Sequence, residues 1–379
     1  MKLLFDALSV NNLSGAYVLR GHLDELMTAG DGRHQVVLLT HRSNTRVANG
    51  VADGVQHVVA DIGGGWLERA VWCQTRLAAL CRTHRIDCVF SPAGMLSPGC
   101  RLPQIVLAQN PWPLVAANPD RGSWRMRLRA TAFRSAQRRA AVMAFNSRYM
   151  RELYESAFGP ALGQTVVAYQ GLPESRLIGS EAVTAFADRP AMVLSVSVMA
   201  RHKAVEVLVS AFAEAARLVE DATLVIVGAW PDAAYRRQIE RLIHDLNLGT
   251  RVEIRGHVTD EALSRLYASA RAFCLTSRCE SFGIPALEAQ AYGTPCVVVD
   301  GTAAPEVLGE GGWVVPQDDA SAAAQALVSL LNDGGEWQRR SRCASDNVRR
   351  FRWSDCARPL IDAIDGLALR LSTAGVARP

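Results

Sequence analysis

Residues 276–295 read TSRCESFGIPALEAQAYGTP, and this stretch decides the fold of its half of the chain. The apolar run 272–275, which precedes it, has the length and composition of a buried strand. Pro285 suits the first position of a helix, Gly293 suits its end, and Pro295 prevents its continuation. The stretch therefore predicts a buried strand, a loop that contains a glycine, and the N-terminus of a helix.

A junction of this kind favours the binding of a phosphate group. The first N–H groups of a helix have no partner within it, and the helix dipole adds positive charge there. Gly283 lets the backbone approach a pyrophosphate closely. Glu280 and Glu288 could accept hydrogen bonds from sugar hydroxyls. The structural alternative is that Glu280 is a solvated loop residue and Glu288 complements the helix dipole, although a carboxylate in so apolar a helix needs a partner.

A second pattern of strand, loop and helix lies at residues 193–219. Arg201 and Lys203 fall in its loop, just before the helical pattern 205–219, where they would neutralise a diphosphate. Because Arg-x-Lys is common on protein surfaces, the pattern alone supports a solvated loop equally well. Residues 10–17, VNNLSGAY, join the first strand to the first helix, but with one glycine they fail as a G-x-G-x-x-G dinucleotide motif.

Short β-branched runs alternate with longer helical patterns along the chain. This alternation predicts parallel sheets with helices on both faces. The candidate strands are too many for one open sheet, and 379 residues suit two domains. We therefore predict an α/β fold with two doubly wound, Rossmann-like domains at 1–180 and 181–353, with a linker in 171–190. The candidate strands are 3–8, 35–40, 56–60, 86–91, 104–108, 141–145, 165–169, 192–197, 223–227, 252–255, 272–275, 296–299 and 313–315.

The composition excludes several classes of protein. Hydrophobic residues make up 49% and charged residues 21%, which is typical of a soluble globular chain and not of a disordered one. The nine cysteines lack a C-x-x-C zinc spacing, so we interpret them as reduced core residues and expect no metal site. Asp6 ends the first apolar run too early for a signal peptide, and no run approaches the roughly 18 apolar residues of a membrane span. We expect a cytoplasmic protein.

The net charge of +4 is unevenly distributed. Residues 1–190 contain 21 basic and 14 acidic residues, a net charge of +7, so the remainder carries −3. Much of the excess lies in 121–139, RGSWRMRLRATAFRSAQRR, which predicts a basic amphipathic helix. Such a helix is typical of an anionic membrane surface, here the inner face, whereas no motif supports nucleic-acid binding. The alternative is the solvated helix face of a soluble enzyme. The residues assigned to this surface are Trp124, Arg125, Arg127, Arg129, Arg134, Arg138 and Arg139.

The sequence ESFGIPALEA at 280–289 resembles the E-x-F-G-x-P-x-x-E-A signature of retaining family-4-like glycosyltransferases, the glycosyl transferases group 1. Residues 201–203 and 252–258 are similar to further parts of the family pattern, and the resemblance is strongest over 190–332. It implies the GT-B fold, in which two Rossmann-like domains face a central cleft and a C-terminal helix, here 354–372, returns to the first domain. It further implies that the first domain binds the acceptor and the second binds the nucleotide sugar.

The resemblance also implies roles for individual residues. Glu288 is expected at the ribose hydroxyls, Glu280 at the donor sugar, and Lys203 with Arg201 at the diphosphate. The nucleotide base is expected near 256–258, and Asn110 and Trp112 are expected on the acceptor side. The residues with implied catalytic roles are Lys203, Arg201 and Glu280. The residues implied to bind the donor are Ser14, Gly15, Gly256, His257, Val258, Ser281, Phe282, Gly283, Ile284 and Glu288.

Three positions depart from the family pattern. Ala204 stands where the family often has glycine or asparagine, Val198 stands near a frequent arginine, and Asn110 replaces a histidine. These departures bear on the sugar preference and the rate more than on the fold.

Together these features predict a retaining hexosyltransferase that moves a sugar from a UDP- or GDP-linked donor to a lipid-linked saccharide, a polysaccharide or another hydroxyl acceptor. No D-x-D motif precedes a suitable sugar site, so we expect transfer without a metal ion or cofactor. With no convincing protein nucleophile, our hypothesis is same-face attack by the acceptor hydroxyl. Two alternatives remain: an epimerase or phosphorylase on the same fold, which the E-x7-E spacing disfavours, and a catalytically silent partner subunit, which Ala204 and Val198 favour.

Overall fold

The structure, a computed structural model, describes residues 1–29, 32–116, 118–177 and 183–376. The chain divides into two compact units: Met1–Gly171 with Trp353–Pro379, called the N-terminal unit, and Leu172–Arg352, called the C-terminal unit. Each unit contains one parallel sheet, and each predicted strand is present with its ends within two residues of the prediction. The predicted α/β fold with two Rossmann-like sheets is confirmed.

The N-terminal unit is built on a seven-stranded sheet. Its elements are β1 (Lys2–Asp6), α1 (Leu13–Ala29), β2 (Gln35–His41), β3 (Gln56–Ala60), α2 (Trp66–Trp72), α3 (Ala78–Thr83), β4 (Cys88–Ser91), β5 (Gln104–Ala108), α4 (Trp124–Arg139), β6 (Val142–Phe145), α5 (Arg148–Phe158), β7 (Gln164–Val167) and the last helix of the chain, α13 (Trp353–Val376). The strand order is β3-β2-β1-β4-β5-β6-β7. The order changes direction between β1 and β4, and such a switch point is where open α/β sheets bind ligands.

The C-terminal unit is built on a six-stranded sheet. Its elements are β8 (Met192–Val196), α6 (Val205–Ala215), β9 (Thr223–Val227), α7 (Ala233–Asp245), β10 (Val252–Arg255), α8 (Asp260–Ser269), β11 (Ala272–Leu275), α9 (Ile284–Ala291), β12 (Cys296–Val299), α10 (Ala304–Leu308), β13 (Gly312–Val315), α11 (Ala320–Asn332) and α12 (Gly334–Val348). The strand order β10-β9-β8-β11-β12-β13 places the switch point between β8 and β11.

The central strands of both sheets are buried on both faces, which explains their continuous apolar runs, whereas the edge strands β3, β7, β10 and β13 are partly exposed. In β1, Leu3 and Phe5 pack into the core layer that includes α1, whereas Leu4 packs into the layer on the other face of the sheet. In β11, Cys274 likewise packs into the core layer on one face of its sheet, and Phe273 packs into the layer on the other face.

The last helix of the chain packs in the N-terminal unit. Leu360 and Ile364 of α13 are buried in the same core layer as Leu19 of α1. This helix is longer than the predicted 354–372 but joins the unit that the resemblance implied. Neither α13 nor any other helix within the described residues is long and apolar enough to cross a membrane.

We predicted that the chain passes between the units at 180/181 and at 353/354. In the structure it passes at other positions. It leaves the N-terminal unit after Gly171 and re-enters it at Trp353. Leu172 donates its N–H to the carbonyl of Phe351 at 2.7 Å, whereas a β-carbon on Gly171 would lie 2.5 Å from the backbone nitrogen of Trp353. This pairing and packing set the division at the start of the segment 171–190, not within it. Residues 178–182 of that segment lie outside the described residues.

Candidate functional site

The two loops that we predicted to bind phosphate lie at the switch point of the C-terminal unit. One loop follows β8 and contains Arg201–Lys203, and the other follows β11 and leads into α9. β8 and β11 are hydrogen-bonded neighbours. Because the carboxyl ends of parallel strands lie at the same edge of a sheet, the fold brings together two loops that are distant in sequence.

The loop after β8 contains a residue in an unusual backbone conformation. Arg201–Lys203 form one 3₁₀ turn, and Ala204, which follows, has φ 50° and ψ 47°. A residue with a β-carbon adopts this left-handed conformation only at a cost, whereas glycine and asparagine adopt it readily. The backbone conformation therefore gives a physical reason for the glycine or asparagine that the resemblance implies at this position.

The loop after β11 holds the loop after β8 in place. The hydroxyl of Thr276 lies 3.1 Å from the carbonyl oxygen of Lys203 and 3.0 Å from that of Ala204, and donates to them. The N–H of Arg278 donates to the carbonyl of His202 at 2.8 Å. Burial, with the positive charge of Lys203 beside it, lowers the pKa of His202 to about 4. The site therefore holds a neutral imidazole next to Lys203 at neutral pH.

Lys203 and Glu280 form the central pair of the site. The ammonium of Lys203 donates to Oε1 of Glu280 at 2.5 Å. The two side chains are only 16% and 13% exposed. The chain uses arginine for nearly all of its 41 basic residues, and its other lysine is Lys2. A compact ammonium with three donors thus stands at the switch point, where it can bind a carboxylate and a phosphate oxygen together.

The start of α9 supplies backbone donors beside this pair. Gly283 has φ 101° and ψ 45°, a conformation that favours glycine and turns the chain into the helix. Within the described residues, the N–H groups of Gly283 and Ile284 have no hydrogen-bond acceptor. Phe282 is buried and packs its ring against Phe351, with 5.8 Å between centroids, while Ser281 is half-buried beside it. The predicted strand, loop and helix start are therefore present, and the binding of an anion to these N–H groups stays a prediction.

Glu288 is a largely buried carboxylate with two partners. Its Oε1 accepts from Nη1 of Arg176 at 2.5 Å, and its Oε2 accepts from the hydroxyl of Tyr267 at 3.0 Å. Burial raises the pKa of Glu288, and the charge of Arg176 opposes that rise. A carboxylate has capacity for further hydrogen bonds beyond these two, so it can also accept from a hydroxyl of a ligand.

The structure does not direct Arg201 towards the same point as Lys203. The Nε of Arg201 donates to Asp232 at 3.0 Å, its Nη1 donates to Gln238, and its guanidinium lies over the ring of Tyr235. These partners belong to α7 and the residue that caps its N-terminus. Arg201 is exposed, so its fixed charge faces solvent beside α7.

The residues expected near the nucleotide base follow β10, the strand at one edge of the sheet. Gly256 and His257 are exposed, whereas Val258 is half-buried and packs against the core layer that contains Tyr267. The structure places them in the same unit as Lys203 and Glu288, three strands from β11.

Four of the expected residues lie in the N-terminal unit. Ser14 is exposed at the start of α1, and the N–H of Gly15 donates to the side chain of Asn12 at 2.7 Å. Asn110 accepts from the N–H of Trp112 at 3.0 Å in the turn after β5. The roles expected for them towards donor and acceptor stay predictions.

The predicted basic helix is α4, which begins at Trp124 with Ser123 as its N-cap. It is amphipathic in the expected sense, because Phe133 and Ala136 are buried. The positions assigned to a surface are all exposed: Trp124, Arg125, Arg127, Arg129, Arg134, Arg138 and Arg139.

Sequence reasoning missed three residues of the site. Arg176 and Tyr267 pair with Glu288, and Thr276 holds the backbone at Lys203. Arg176 lies in the segment between the two sheets, where no periodicity or motif marks it. Tyr267 follows an apolar helical pattern, so its burial could be predicted but its partner could not.

Comparison with known proteins gives a family match for the C-terminal unit. The family described as glycosyl transferases group 1 matches residues 180–349. O-antigen chain mannosyltransferase B of Escherichia coli is 33% identical over 137 residues, which are 35% of this chain and 34% of that protein. A GDP-mannose-dependent alpha-(1-6)-phosphatidylinositol monomannoside mannosyltransferase of Mycolicibacterium smegmatis is 32% identical over 219 residues, 54% of this chain and 56% of that protein. The chain thus spans about a third to about half of the length of these two relatives.

Longer alignments have lower identity. The protein of the same description from Mycobacterium tuberculosis is 28% identical over 325 residues, 77% of this chain and 79% of that protein. Sucrose-phosphate synthase from Thermosynechococcus elongatus superposes with a TM-score of 0.76 at 21% identity, covering 99% of this chain and 100% of that one. HepE of Anabaena in complex with UDP-glucose gives a TM-score of 0.73 at 18% identity, covering 97% and 99%. Both structural likenesses show a shared fold.

Proposed function

We propose that this chain, whose residues 180–349 match the glycosyl transferases group 1 family and whose fold is GT-B, transfers a hexose from a nucleoside-diphosphate sugar to an acceptor hydroxyl. The observation that carries the proposal is the convergence of Lys203, Glu280 and the start of α9 at the switch point of the C-terminal unit. A diphosphate needs cations and free N–H groups, and a sugar needs carboxylate acceptors. This edge of the sheet has all three.

The donor that we propose first is GDP-mannose. The relatives from Mycolicibacterium smegmatis and Mycobacterium tuberculosis are described as GDP-mannose-dependent. Glu288 would accept hydrogen bonds from the ribose, Glu280 from the sugar, and the base would lie near Gly256 and His257. A UDP-linked hexose is the alternative donor that the test must include.

The departing nucleoside diphosphate gains negative charge as the sugar gains positive charge. Lys203 and the N–H groups of Gly283 and Ile284 stabilise the phosphate oxygens. We propose that this positive charge suffices without a divalent cation and that the acceptor hydroxyl attacks from the face that the phosphate leaves. The departing phosphate takes the hydroxyl proton, and the configuration at the sugar is retained. Full transfer activity in excess EDTA supports the first part, and the anomeric form of the product tests the second.

The acceptor that we propose is a lipid-linked saccharide at the inner face of a membrane. Two relatives are described as acting on phosphatidylinositol monomannoside, a lipid-linked acceptor. The exposed arginines and Trp124 of α4 suit an anionic surface, where each basic residue near the surface contributes about 1 kcal/mol. Co-sedimentation with anionic vesicles at low salt, reversed by high salt, tests this part.

Thermal unfolding with GDP-mannose, UDP-glucose, GDP and UDP tests the donor proposal. A ligand that binds only the folded state at about 100 times its dissociation constant adds roughly 2.7 kcal/mol of stability. We expect one nucleotide family to raise Tm equally in the wild type and in the control Glu240→Gln, an exposed carboxylate on α7, and to raise it clearly less in Glu288→Gln. Slow donor hydrolysis without acceptor would separate an enzyme from a silent subunit. A panel with no shift contradicts the proposal.

A further inference from the structure

A large cavity lies at the switch point of the N-terminal unit. Its volume is about 630 Å³. The residues around it follow the carboxyl ends of β1 and β4, and the helices α2 and α4 flank it. This is the edge at which an open α/β sheet of this strand order binds its ligand.

The interior of the cavity is mainly apolar, with Leu8, Met95, Leu96 and Met126 in its wall. The polar groups at its base already have partners. Asp6 accepts from the hydroxyl of Ser97 at 2.5 Å and from the N–H of Leu8 at 3.1 Å, and Arg69 donates to the carbonyl of Leu8 at 2.9 Å. A sugar ring needs several polar partners, so this interior is better suited to a hydrocarbon.

The rim of the cavity exposes large apolar side chains. Trp66 of α2 is 56% exposed, and Trp124 and Leu128 of α4 are 62% and 56% exposed. All three line the cavity. Tryptophan at such positions is typical of the boundary between membrane and water, because one part of the ring system is apolar and its N–H is polar.

The rim also has uncompensated positive charge. Arg125 and Arg129 line the cavity and are exposed. Among the residues that the structure describes, no carboxylate lies within ion-pair distance of either guanidinium, and α4 contains no Asp or Glu. An apolar interior behind two unpaired guanidiniums is complementary to one chemistry, a hydrocarbon chain that ends in a phosphate.

We propose that this cavity binds the hydrocarbon chain of a phosphorylated lipid, with the phosphate held by Arg125 and Arg129 and the chain buried below Trp66 and Trp124. The proposal rests on the proposed function only in identifying that lipid as the acceptor. The binding itself depends on the N-terminal unit alone, whereas the donor site lies in the C-terminal unit. Each can therefore fail without the other.

The first test is the dependence of binding on chain length. The probes are glycerol phosphate and lysophosphatidic acids of increasing chain length, used below the concentrations at which they form micelles, with the full chain and calorimetric detection. We expect affinity to rise about fourfold for each added methylene until the cavity is full, and then to level off. Equal affinity for glycerol phosphate and the long-chain lipids would overturn the proposal, as would a rise without a plateau.

The second test uses matched pairs of variants on the same helix. Ala132→Phe fills the cavity, whereas Ala130→Phe lies outside its lining. The doubly substituted Arg125→Gln/Arg129→Gln removes the rim charges, whereas Arg138→Gln/Arg139→Gln removes the same charge from the far end of α4. We expect the first member of each pair to weaken the binding of monomeric lysophosphatidic acid about tenfold or more and the second to leave that binding unchanged. If Ala132→Phe does not fold, Ala70→Leu, which fills the cavity from α2, replaces it.

These variants distinguish a specific lipid site in the cavity from general attraction of lipid to the basic surface of α4. Equal weakening by both arginine pairs would show general surface attraction and overturn the cavity site. Normal lipid binding in Ala132→Phe and Ala70→Leu would overturn it as well. Donor binding, measured on the same samples with GDP-mannose and UDP-glucose, should be unchanged in every variant. Lipid binding without donor binding would support the cavity site and overturn the proposed function. Donor binding without lipid binding would support the proposed function and overturn the cavity site.

Discussion

The ammonium of Lys203 lies 2.5 Å from the carboxylate of Glu280, although the two residues are 77 positions apart. They meet because β8 and β11 are neighbours at the switch point of their sheet. Thr276, which follows β11, holds the backbone that carries Lys203. The pair is thus positioned by the sheet and not by the loops alone.

Replacement of Lys203 should reduce transfer strongly. Loss of a preorganised charge that stabilises a leaving group typically costs about 10²-fold or more in turnover, so we expect that from Lys203→Ala. Lys203→Arg should also be impaired, since the larger planar guanidinium does not fit the geometry with Glu280. Lys2→Ala, which removes the other lysine of the chain, is the control. Near-normal turnover in Lys203→Ala, measured at saturating donor, contradicts the role of this residue.

Replacement of Arg201 should have a smaller effect than replacement of Lys203. The guanidinium of Arg201 is bound to Asp232 and lies over Tyr235, on the side of α7. We expect Arg201→Ala to change kcat and KM by less than about threefold, the effect of roughly 0.6 kcal/mol. A loss as large as that of Lys203→Ala would show that Arg201 leaves α7 and holds the diphosphate.

Donor affinity should depend on pH through Glu288. Burial raises the pKa of this carboxyl, so acidification protonates it at a higher pH than an ordinary glutamate and removes an acceptor for the ribose. Nucleotide affinity should therefore fall as the pH is lowered. Glu288→Gln should bind roughly tenfold more weakly at neutral pH, through loss of charge-assisted hydrogen bonds, and should flatten the pH dependence. An unchanged profile in Glu288→Gln would assign the pH dependence to another group.

His22 should make the fold sensitive to acid. It is buried against Trp353, with 5.1 Å between ring centroids, and neither ring nitrogen has a partner within the described residues. Burial lowers its pKa to about 4 from an ordinary 6.5. The folded state then binds fewer protons than the unfolded state between these values, so stability is lost as the pH falls through that window. The contribution is about 3 kcal/mol at most.

His22→Leu removes this linkage, while His202, which has a similarly lowered pKa, remains. Denaturant unfolding at pH 7 and pH 4.5 should show a smaller loss in His22→Leu than in the wild type. His244→Leu, at an exposed position of α7, is the matched control. Equal losses in both variants would mean that His22 is protonated in the folded state.

Arg189 should be essential for stability in the C-terminal unit. It is almost fully buried, and its guanidinium donates to the carbonyls of Ala270 at 2.6 Å and Tyr292 at 2.7 Å and to the hydroxyl of Thr294 at 2.7 Å. These partners stand at the ends of α8 and α9. Arg189→Met leaves them unpaired, which should cost about 3 kcal/mol or more of unfolding free energy.

Arg236→Met, at an exposed position of α7, controls for loss of an arginine and should cost less than about 0.5 kcal/mol. Denaturant midpoints of the two variants measure the difference. Equal stability of both variants would show that water or rearranged side chains replace the bonds of Arg189.

The sequence predicts the strands of both sheets because buried parallel strands leave continuous apolar runs, such as residues 272–275. It also predicts the helix start at α9, because Pro285 and Gly293 act locally. It does not predict the partner of Glu288, since Arg176 is 112 residues away and no spacing rule joins them. The sequence also does not predict that Arg201 pairs with Asp232, because Asp232 caps α7 and lies 31 residues away.

The boundary between the units was predicted too late in the chain. Proline and glycine in 171–190 mark an irregular segment, but they do not show where its packing changes. That point is set by the contact of Gly171 with Trp353, which no local pattern reveals.

Calorimetric titration of GDP-mannose and UDP-glucose into the wild type, Lys203→Ala and Glu288→Gln tests the donor site most directly. We predict that one of the two donors binds the wild type at a single site and binds each variant about tenfold or more weakly. Absence of binding by either donor, or equal affinity in the wild type and both variants, would contradict the placement of the donor at Lys203 and Glu288.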